Sequence, residues 1–382
     1  MSKVYYTESY KLLYDIFNKY VSNPLFPLTH IKESNFLTET NRFTVNRILP
    51  IFSKMNAKLR YISSGSTGHF FKGVIIKDES KPICDSNIIT KFALKLTPYL
   101  KCDKYKSIYE KTRPENTELN MLKCLSYFVL TGQTRHLLLP IQSFYCPIHE
   151  FVKIMEMNKV NDNKQKYKKF IDGYHDNRYE DIVTITVSEL ADEGDLLNYI
   201  RTHSKSIKPY YWKIFFFQLL SVLAIIQLRY PSFRHNDLKA NNILLQKVKR
   251  SSTKYIINNK CYILPEFDLC IKMWDFDFAC IPGYVNNIKV EEKWTRDINI
   301  TTKQNRYYDI HYFFSTLQLF YPKIKDRSYV GDETVDFIND IIPDSIKKSS
   351  KTNDKGRLLV DEEYITPLQL LENHEYFKDF RK

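Results

Sequence analysis

The spacing of hydrophobic residues changes twice along the chain. Over residues 1–57 the spacing is helical, as at Leu12 and Ile16, which predicts an N-terminal helical extension. Over residues 58–190 short β-branched runs are separated by glycines, so a strand, a glycine turn, two further strands, a helix and a last strand are expected. Residues 191–382 carry longer apolar runs at helical spacing and are predicted to be mainly helical.

The same pattern bounds individual elements and two interruptions. The expected elements are strands at 88–96 and 183–190, a helix at 115–129, a short helix beginning at 196 and a long apolar helix at 210–228. Two polar stretches rich in lysine and asparagine, about 147–180 and 246–267, break the pattern. Such stretches are typical of exposed connections, so both are predicted to be surface insertions.

The composition is that of an ordinary globular protein. The chain has 382 residues, 43% hydrophobic and 26% charged, which is enough for two lobes with buried cores. Its seven cysteines form no Cys-x-x-Cys pair, so a reducing, intracellular compartment is expected and no zinc site is indicated. The first residues lack the apolar region of a secretory signal. The apolar run 214–228 is short for a bilayer and contains two glutamines, which favours a buried core helix.

The chain carries a large positive charge. Fifty-seven basic and forty-four acidic residues give a net charge of +13. Such a field attracts nucleotide phosphates, acidic substrates, nucleic acid or an anionic membrane surface, and its sign does not choose among them. Basic clusters at 164–169, 247–254 and 347–357 are interpreted as solvated loops. No zinc or stacking-aromatic pattern accompanies the charge, so no specific nucleic-acid binding is predicted, while association with an anionic membrane surface stays open.

The most informative segment, residues 234–245, reads Arg-His-Asn-Asp-Leu-Lys-Ala-Asn-Asn-Ile-Leu-Leu. Its spacing is that of a phosphotransferase catalytic loop that leads into a buried strand. Asp237 can accept the proton of a substrate hydroxyl, Lys239 can neutralise the transferred phosphoryl group, and Asn242 can offer an oxygen to a metal ion. An ordinary polar turn is the alternative, because His-Asn-Asp and Asn-Asn are common turn residues.

A second motif favours phosphoryl transfer over a chance turn. Residues 271–279 read Ile-Lys-Met-Trp-Asp-Phe-Asp-Phe-Ala and place Asp275 after an apolar strand, where a magnesium ligand is expected. An ordinary turn requires no such second carboxylate. The two motifs together predict Asp237 and Lys239 as catalytic residues, and Asn242 and Asp275 as metal ligands.

Three of the nine glycines fall between residues 65 and 73. Glycines let backbone amides approach phosphates closely, so Gly65, Ser66 and Gly68 are predicted to cover a nucleotide. Ser63 stands where the first glycine of a Gly-x-Gly-x-x-Gly loop would be. Taken alone, the cluster fits a plain hairpin turn equally well.

A lysine that contacts the α and β phosphates is expected on the strand that follows. Phe-Ala-Leu-Lys, ending at Lys95, is similar to the Val-Ala-Ile-Lys strand and favours that lysine, while Lys91 on the same face is the competing candidate. The helix partner is predicted to be Glu118, with Glu115 as the alternative. An exposed helical glutamate without such a role is also compatible with the pattern.

Residues 188–196, Ser-Glu-Leu-Ala-Asp-Glu-Gly-Asp-Leu, end a strand and enter a helix, as a hinge between lobes would. Backbone groups of Glu189 and Ala191 are predicted to bind an adenine edge. Asp195 either accepts a hydrogen bond from a ribose hydroxyl or caps the helix that follows, and the sequence leaves both roles open.

Together these motifs resemble the eukaryotic-type protein kinase superfamily over roughly residues 59–320. Trp-Asp-Phe-Asp-Phe-Ala, followed from residue 306 by Arg-Tyr-Tyr-Asp-Ile-His-Tyr-Phe-Phe, is similar to the serine/threonine kinases that poxviruses and other large DNA viruses use in virion morphogenesis. The resemblance implies a bilobal α+β fold. A small lobe of antiparallel sheet plus one helix (58–190) and a mainly helical lobe (191–382) would follow the extension (1–57), with ATP between the lobes.

The resemblance also implies cofactors, partners and locations. The cofactors would be ATP with Mg²⁺ or Mn²⁺, the partners protein substrates, and the locations the cytoplasm of an infected cell and the virion. Asp309 would brace the catalytic loop from beneath, although a helix cap or a surface acid is an alternative for it. Oligomeric state is not predicted.

The chain departs from the family pattern at three places. Asn236 replaces the usual arginine before the catalytic aspartate, so activity is not expected to depend on an activation-loop phosphate. Asp277 replaces the glycine of the metal motif, which is expected to stiffen that segment. No Ala-Pro-Glu follows Asp275, so the substrate-docking loop must differ from the usual one.

The leading hypothesis is transfer of the ATP γ-phosphoryl group to serine or threonine of a protein, because Lys239 stands two residues after the base. Small-molecule kinases of the aminoglycoside and choline type share a His-x-Asp-Leu loop, but they typically carry histidine at the place of Lys239. A nucleotide-binding pseudokinase scaffold is the third reading, since the glycine loop, Asn236 and Asp277 are altered. Binding of ATP without turnover would favour the scaffold.

Overall fold

The computed structural model describes most of the chain. The described residues are 6–21, 24–38, 42–65, 67–78, 80–81, 83–84, 86–105, 107–157 and 165–382. They fold into two compact units, which are called here the sheet unit and the helical unit. The sheet unit comprises Tyr6–Tyr127 and Leu139–Leu190, and the helical unit comprises Phe128–Leu138 and Ala191–Lys382.

A five-stranded antiparallel sheet forms the sheet unit, with the strand order β1-β2-β3-β5-β4. The strands are β1 (Ala57–Ser64), β2 (His69–Ile76), β3 (Ile88–Leu100), β4 (Pro140–Pro147) and β5 (Tyr179–Glu189). Side chains alternate between the two faces of a strand. In β3 this buries Phe92 and Leu94 and leaves Lys91 and Lys95 partly exposed, on the same face.

The sheet unit also contains helices. They are α1 (Glu8–Tyr20), α2 (Ser34–Leu37), α3 (Ile48–Lys54), α4 (Pro114–Leu130), α5 (Ile148–Met157) and α6 (Gln165–His175), and α4 ends in residues of the helical unit. Helix α1 packs on β3 and β4 with Leu13 and Phe17 buried. The hydroxyl of Tyr10 donates to the carbonyl of Pro140 at 2.8 Å. The region predicted as a helical extension is therefore packed on the sheet.

The helical unit contains eight helices and a long hairpin within its described residues. The helices are α7 (Leu196–Thr202), α8 (Pro209–Arg229), α9 (Lys293–Arg296), α10 (Tyr308–Phe320), α11 (Arg327–Val330), α12 (Asp332–Ile341), α13 (Asp344–Lys347) and α14 (Pro367–Asn373). The hairpin pairs β6 (Ile243–Ile257) with β7 (Lys260–Met273) in antiparallel order. A short 3-10 turn, Ala240–Asn242, leads into β6.

Helix α8 forms the core of the helical unit. It packs against α14 and β7, and the ring of Phe217 lies 5.2 Å from that of Tyr255 and 5.4 Å from that of Tyr262. By length and composition alone, α8 could cross a membrane, but 83% of its apolar stretch is buried inside the protein. Core helices of soluble proteins have the same properties, so the composition of α8 is weak support for a membrane span.

The α+β class predicted from the sequence is confirmed. The expected strands at 88–96 and 183–190 correspond to β3 and β5, and the expected helices at 115–129 and 210–228 correspond to α4 and α8. Strand β4 was not anticipated.

Both polar stretches contain regular structure. Most of 246–267 lies in the paired strands β6 and β7, and 147–180 contains α5 and α6, with 158–164 outside the described residues. The predicted domain boundaries stay predictions.

Candidate active site

The β6–β7 hairpin brings the two acidic motifs of the helical unit together. Its open end pairs Ile243, the first residue of β6, with Met273, the last residue of β7. Asn242 precedes this pair and Asp275 follows it, so antiparallel pairing places both at the same end. The backbone N–H of Trp274 donates to the carbonyl of Asn242 at 3.3 Å. The two proposed metal ligands are thus carried by neighbouring segments.

The carboxylate of Asp237 is buried and accepts hydrogen bonds from Lys239, Asn242 and Arg357. Its Oδ2 accepts from Lys239 Nζ at 2.7 Å and from Asn242 Nδ2 at 3.2 Å. Its Oδ1 accepts from Arg357 Nη2 at 2.8 Å. Hydrogen bonds to a charged acceptor are strong and directional, so the carboxylate is held in one orientation.

Asp309, in the first turn of α10, braces this loop, as the family resemblance implies. Its Oδ2 accepts from the N–H of His235 at 2.8 Å and its Oδ1 from the N–H of Asn236 at 2.9 Å. Asn236 has a φ of 63°, a left-handed conformation that asparagine tolerates better than most residues. Burial raises the pKa of Asp309, and the neighbouring His235 and Arg234 act against that rise. His235 serves the structure as well, because its Nε2 lies 3.0 Å from the carbonyl oxygen of Trp274.

The residues at the hairpin end fit a hard divalent cation. The amide of Asn242 donates its N–H groups to Asp237, which directs the amide oxygen away from these bonds. Amide and carboxylate oxygens are the ligands that Mg²⁺ prefers. Among the described residues there is no group of three or more His, Cys, Asp and Glu side chains that could hold a metal. The amide oxygen of Asn242 and the carboxylate of Asp275 are the candidate ligands at the hairpin end.

The two charged residues proposed for nucleotide binding in the sheet unit contact each other. Lys95 Nζ forms an ion pair with Glu118, and both side chains are largely buried, with exposed fractions of 12% and 9%. Glu115 pairs instead with Arg113, whose Nε lies 3.1 Å from its Oε2. Of the alternatives that the sequence leaves open, Lys95 and Glu118 therefore make the expected lysine–glutamate contact.

The glycine turn between β1 and β2 lies against β3. The N–H of Gly65 donates to the carbonyl of Gly68 at 2.8 Å, which closes the turn. A Cβ on Gly68 would lie 2.7 Å from the carbonyl oxygen of Leu96 and 3.0 Å from Cε of Lys95. Such a close approach requires glycine, and it puts the turn backbone beside Lys95. The predicted contact Ser66 lies outside the described residues.

The hinge residues are placed as follows. Glu189 ends β5, where its N–H donates to the carbonyl of Leu139 at 3.0 Å and its Oε1 accepts from the N–H of Leu139 at 2.9 Å. Its amide is therefore occupied, and an adenine contact would have to use its carbonyl oxygen. Ala191 is partly exposed. Asp195 caps α7, with its Oδ1 accepting from the N–H of Asn198 at 2.9 Å, which matches one of its two predicted roles.

The segment after Asp275 is tied down by polar contacts. Asp277 forms a largely buried ion pair with Lys289, whose Nζ also lies 4.0 Å from the ring centre of Phe278. The amide of Asn287 donates to the carbonyl of Asp277 at 2.9 Å. The amide of Asn236, at the place of the usual arginine, donates to the carbonyl of Phe278 at 3.0 Å. Side chains of the protein itself thus hold this segment.

Sequence reasoning missed Arg357. It belongs to the basic cluster 347–357 that was interpreted as a solvated loop, yet its guanidinium is bonded to the proposed catalytic base. No local motif marks it. Its aromatic neighbours on α10, Tyr308 and Tyr312, were also missed as parts of the site.

Comparison with known proteins gives the family. The model of the poxvirus serine/threonine protein kinase family matches residues 5–373. A protein of Acanthamoeba polyphaga mimivirus, named as a serine/threonine-protein kinase, is 40% identical over 378 residues, which are 95% of this chain and 79% of that protein. Serine/threonine-protein kinase 2 of fowlpox virus is 28% identical over 57% of this chain and 48% of its own length. The variola virus protein of the same name is 30% identical over 48% of this chain and 37% of its own length. The chain belongs to the poxvirus serine/threonine protein kinase family.

Proposed function

We propose that this chain transfers the γ-phosphoryl group of ATP to serine or threonine hydroxyls of proteins. The observation that carries the proposal is the carboxylate of Asp237, held by Lys239 and Asn242 in the loop beside Asp275. Membership of a protein kinase family supports a protein acceptor over a small metabolite.

The chemistry follows from these side chains. As the substrate hydroxyl oxygen bonds to the γ-phosphorus, Asp237 takes the hydroxyl proton, and the bond from the γ-phosphorus to the oxygen of the leaving ADP breaks. Lys239 neutralises negative charge on the transferred group. A Mg²⁺ or Mn²⁺ ion held by Asn242 and Asp275 would neutralise further phosphate charge.

The sheet unit would supply nucleotide contacts. Lys95, oriented by Glu118, would bind the α and β phosphates, and the backbone of residues 65–68, including Ser66, would cover them. The carbonyl of Glu189 and the backbone of Ala191 are proposed for the adenine edge, and Asp195 for the ribose.

Radiolabelled ATP tests the proposal directly. The full chain, with Mg²⁺ or Mn²⁺, is expected to label dephosphorylated casein or myelin basic protein, and acid hydrolysis should release phosphoserine or phosphothreonine. Asp237→Asn should reduce labelling by about 100-fold or more, because it removes the proton acceptor. Labelling of the parent no greater than that of Asp237→Asn would reject the proposal. Labelling of choline or an aminoglycoside, but of no protein, would favour a small-molecule kinase.

We further propose that the protein acts in the cytoplasm of an infected cell, is packaged in the virion, and associates with anionic membrane surfaces. The net charge of +13 supports the last point. Flotation with phosphatidylserine liposomes should be lost at high salt, and flotation equal to that with neutral liposomes would reject it. Immunoblots of purified virions and cell fractions test the locations.

A further inference from the structure

The guanidinium of Arg357 reaches the catalytic loop from a distant part of the chain. Its Nη2 lies 2.8 Å from Oδ1 of Asp237, and its Nη1 donates to the carbonyl of Asn236 at 2.7 Å and to the hydroxyl of Tyr308 at 3.1 Å. The guanidinium carbon lies 4.2 Å from the ring centre of Tyr312. Four groups of the site are thus contacted by one side chain.

This arginine is largely buried and its loop is built to hold it. The exposed fraction of its side chain is 10%. The Oδ1 of Asn353 accepts from the N–H of Arg357 at 2.9 Å, and the N–H of Asn353 donates back to the carbonyl of Arg357 at 3.0 Å. Gly356 has a φ of 79°, and a Cβ there would lie 2.9 Å from Cβ of Ser315. The amide of Asn299 donates to the carbonyl of Leu358 at 3.0 Å. A solvated surface loop needs none of these contacts.

The two carboxylate oxygens of Asp237 therefore have different hydrogen-bond partners. Oδ2 faces Lys239 and Asn242, the residues proposed to serve the phosphate and the metal, whereas Oδ1 faces Arg357. An Arg fork is rigid and planar, so two donors fixed on the loop leave the carboxylate little freedom to rotate.

We infer that Arg357 is a positioning residue for phosphoryl transfer. By holding Oδ1, it fixes Asp237 so that Oδ2 is the oxygen that receives the substrate proton. Arg357 thus anchors the catalytic loop from the carboxy-terminal part of the chain. The arginine that usually precedes the catalytic aspartate is absent, because residue 236 is asparagine. The inference rests on the proposed function.

Steady-state kinetics of the full chain test this role. Arg357→Gln should lower kcat for casein labelling by about 100-fold, because small displacements of a reacting group are costly. KM for ATP should change little, since the contacts of Arg357 are to the proton acceptor and not to the groups proposed for the nucleotide. Arg357→Lys keeps one charged donor and should recover at least about tenfold of that loss. Lys355→Gln, two residues away and exposed, is the matched control and should retain parental kcat.

Two further measurements separate positioning from folding. Arg357→Gln should lower the melting temperature, because a largely buried partner of Asp237 is removed. Its affinity for a fluorescent ATP analogue should stay near parental. Equal losses of kcat in the Gln and Lys variants, together with a loss of affinity for the ATP analogue, would assign Arg357 to structure alone and overturn the inference. Unchanged kcat, or a gain in kcat that reveals an inhibitory contact, would also overturn it while the proposed function stands. If the parent chain labels no protein, the proposed function fails, and this inference fails with it.

Discussion

Lys95 and Lys91 share one face of β3, and they offer a matched pair of substitutions. Lys95→Met removes the amine that pairs with Glu118, so its proposed phosphate contact is lost as well. We expect kcat/KM for ATP to fall by about 100-fold, the usual cost of removing one donor to a charged transition state. Lys91→Met should have little effect. Radiolabel transfer at several ATP concentrations measures both, and a larger loss for Lys91→Met would reassign the lysine.

The candidate site was predictable where its residues are close in sequence. Asp237, Lys239 and Asn242 lie within one loop, and residues so close in sequence are necessarily close in space. The lysine and glutamate of the sheet unit could be narrowed to two candidates each, but only packing separated them, since Glu115 pairs with Arg113. Arg357 lies 120 residues from Asp237. No periodicity or motif connects such positions, so a contact of that kind can be found only in the folded chain.

Polar side chains fix the segment that follows Asp275 in place. Because Lys289 pairs with Asp277 and Asn236 bonds to the Phe278 carbonyl, activity should not require phosphorylation of this segment. Protein treated with a phosphatase, which is then removed, should keep its activity. A loss of activity after this treatment, reversed by incubation with ATP, would contradict the prediction.

The ion pair itself can be tested separately. Lys289→Ala leaves the largely buried carboxylate of Asp277 without its partner. We expect a loss of roughly 3 kcal/mol of stability and a fall in kcat, because a buried charge without its partner is costly. Lys293→Ala, in the exposed helix α9, is the control. Equal unfolding midpoints in urea for the two variants would show that the pair does not hold the segment.

The β6–β7 hairpin depends on a neutral histidine. His136 is fully buried, with its Nδ1 3.1 Å from the carbonyl oxygen of Ile271 and its Nε2 2.9 Å from the hydroxyl of Tyr255. Burial, helped by Arg135 and Lys272, lowers the pKa of His136 to about 3. An unfolded histidine has a pKa near 6.5, so below that pH the unfolded chain binds a proton that the folded chain does not. The contribution of His136 to the free energy of unfolding is therefore fully present above about pH 6.5. It is lost as the pH falls towards 3, by about 1.4 kcal/mol per pH unit.

Melting temperatures between pH 7.5 and 4.5 measure this dependence. Other buried histidines contribute in the same direction, since burial lowers the pKa of His69 and of His311 to about 4. His136→Gln keeps a donor and an acceptor but cannot titrate, so its melting temperature should change less with pH. His203→Gln, at an exposed position, should follow the parent. Parallel curves for all three proteins would refute the assignment to His136.

Some elements were predictable and others were not, for different physical reasons. Helix α8 and strand β3 carry strong periodic signals, so their existence was clear. Strand β4 is buried at nearly every position and starts at Pro140, so it shows no alternation of polar and apolar residues. The middle of β6 exposes lysine, arginine and serine, and these polar residues resemble a loop when the pairing partner is unknown.

The division of the whole molecule into units was less predictable than its fold class. Residues 128–138 belong to the helical unit, although sequence neighbours on both sides belong to the sheet unit. Their membership rests on contacts such as the N–H of Met273 donating to the carbonyl of His136 at 2.9 Å and the N–H of Leu138 donating to the carbonyl of Met273 at 3.3 Å. The amino-acid composition does not change at this segment. Its pairing partner, Met273, is distant in sequence, so the sequence alone does not reveal these contacts.

Nucleotide binding should raise the melting temperature of the protein. The part of this rise that depends on the metal can be measured separately. A ligand that binds only the folded state adds about 2.7 kcal/mol at about 100 times its Kd, which raises the melting temperature. With ATP and Mg²⁺ the parent should show this rise, and EDTA should reduce it. In Asp275→Asn the rise in melting temperature should be smaller than in the parent and equal with and without Mg²⁺, because the proposed metal ligand is gone. Lys95→Met should lower the rise under both conditions, since its proposed contact is with the phosphates. A full Mg²⁺-dependent rise in Asp275→Asn would mean that this carboxylate holds no metal, and the site at the hairpin end would have to be abandoned.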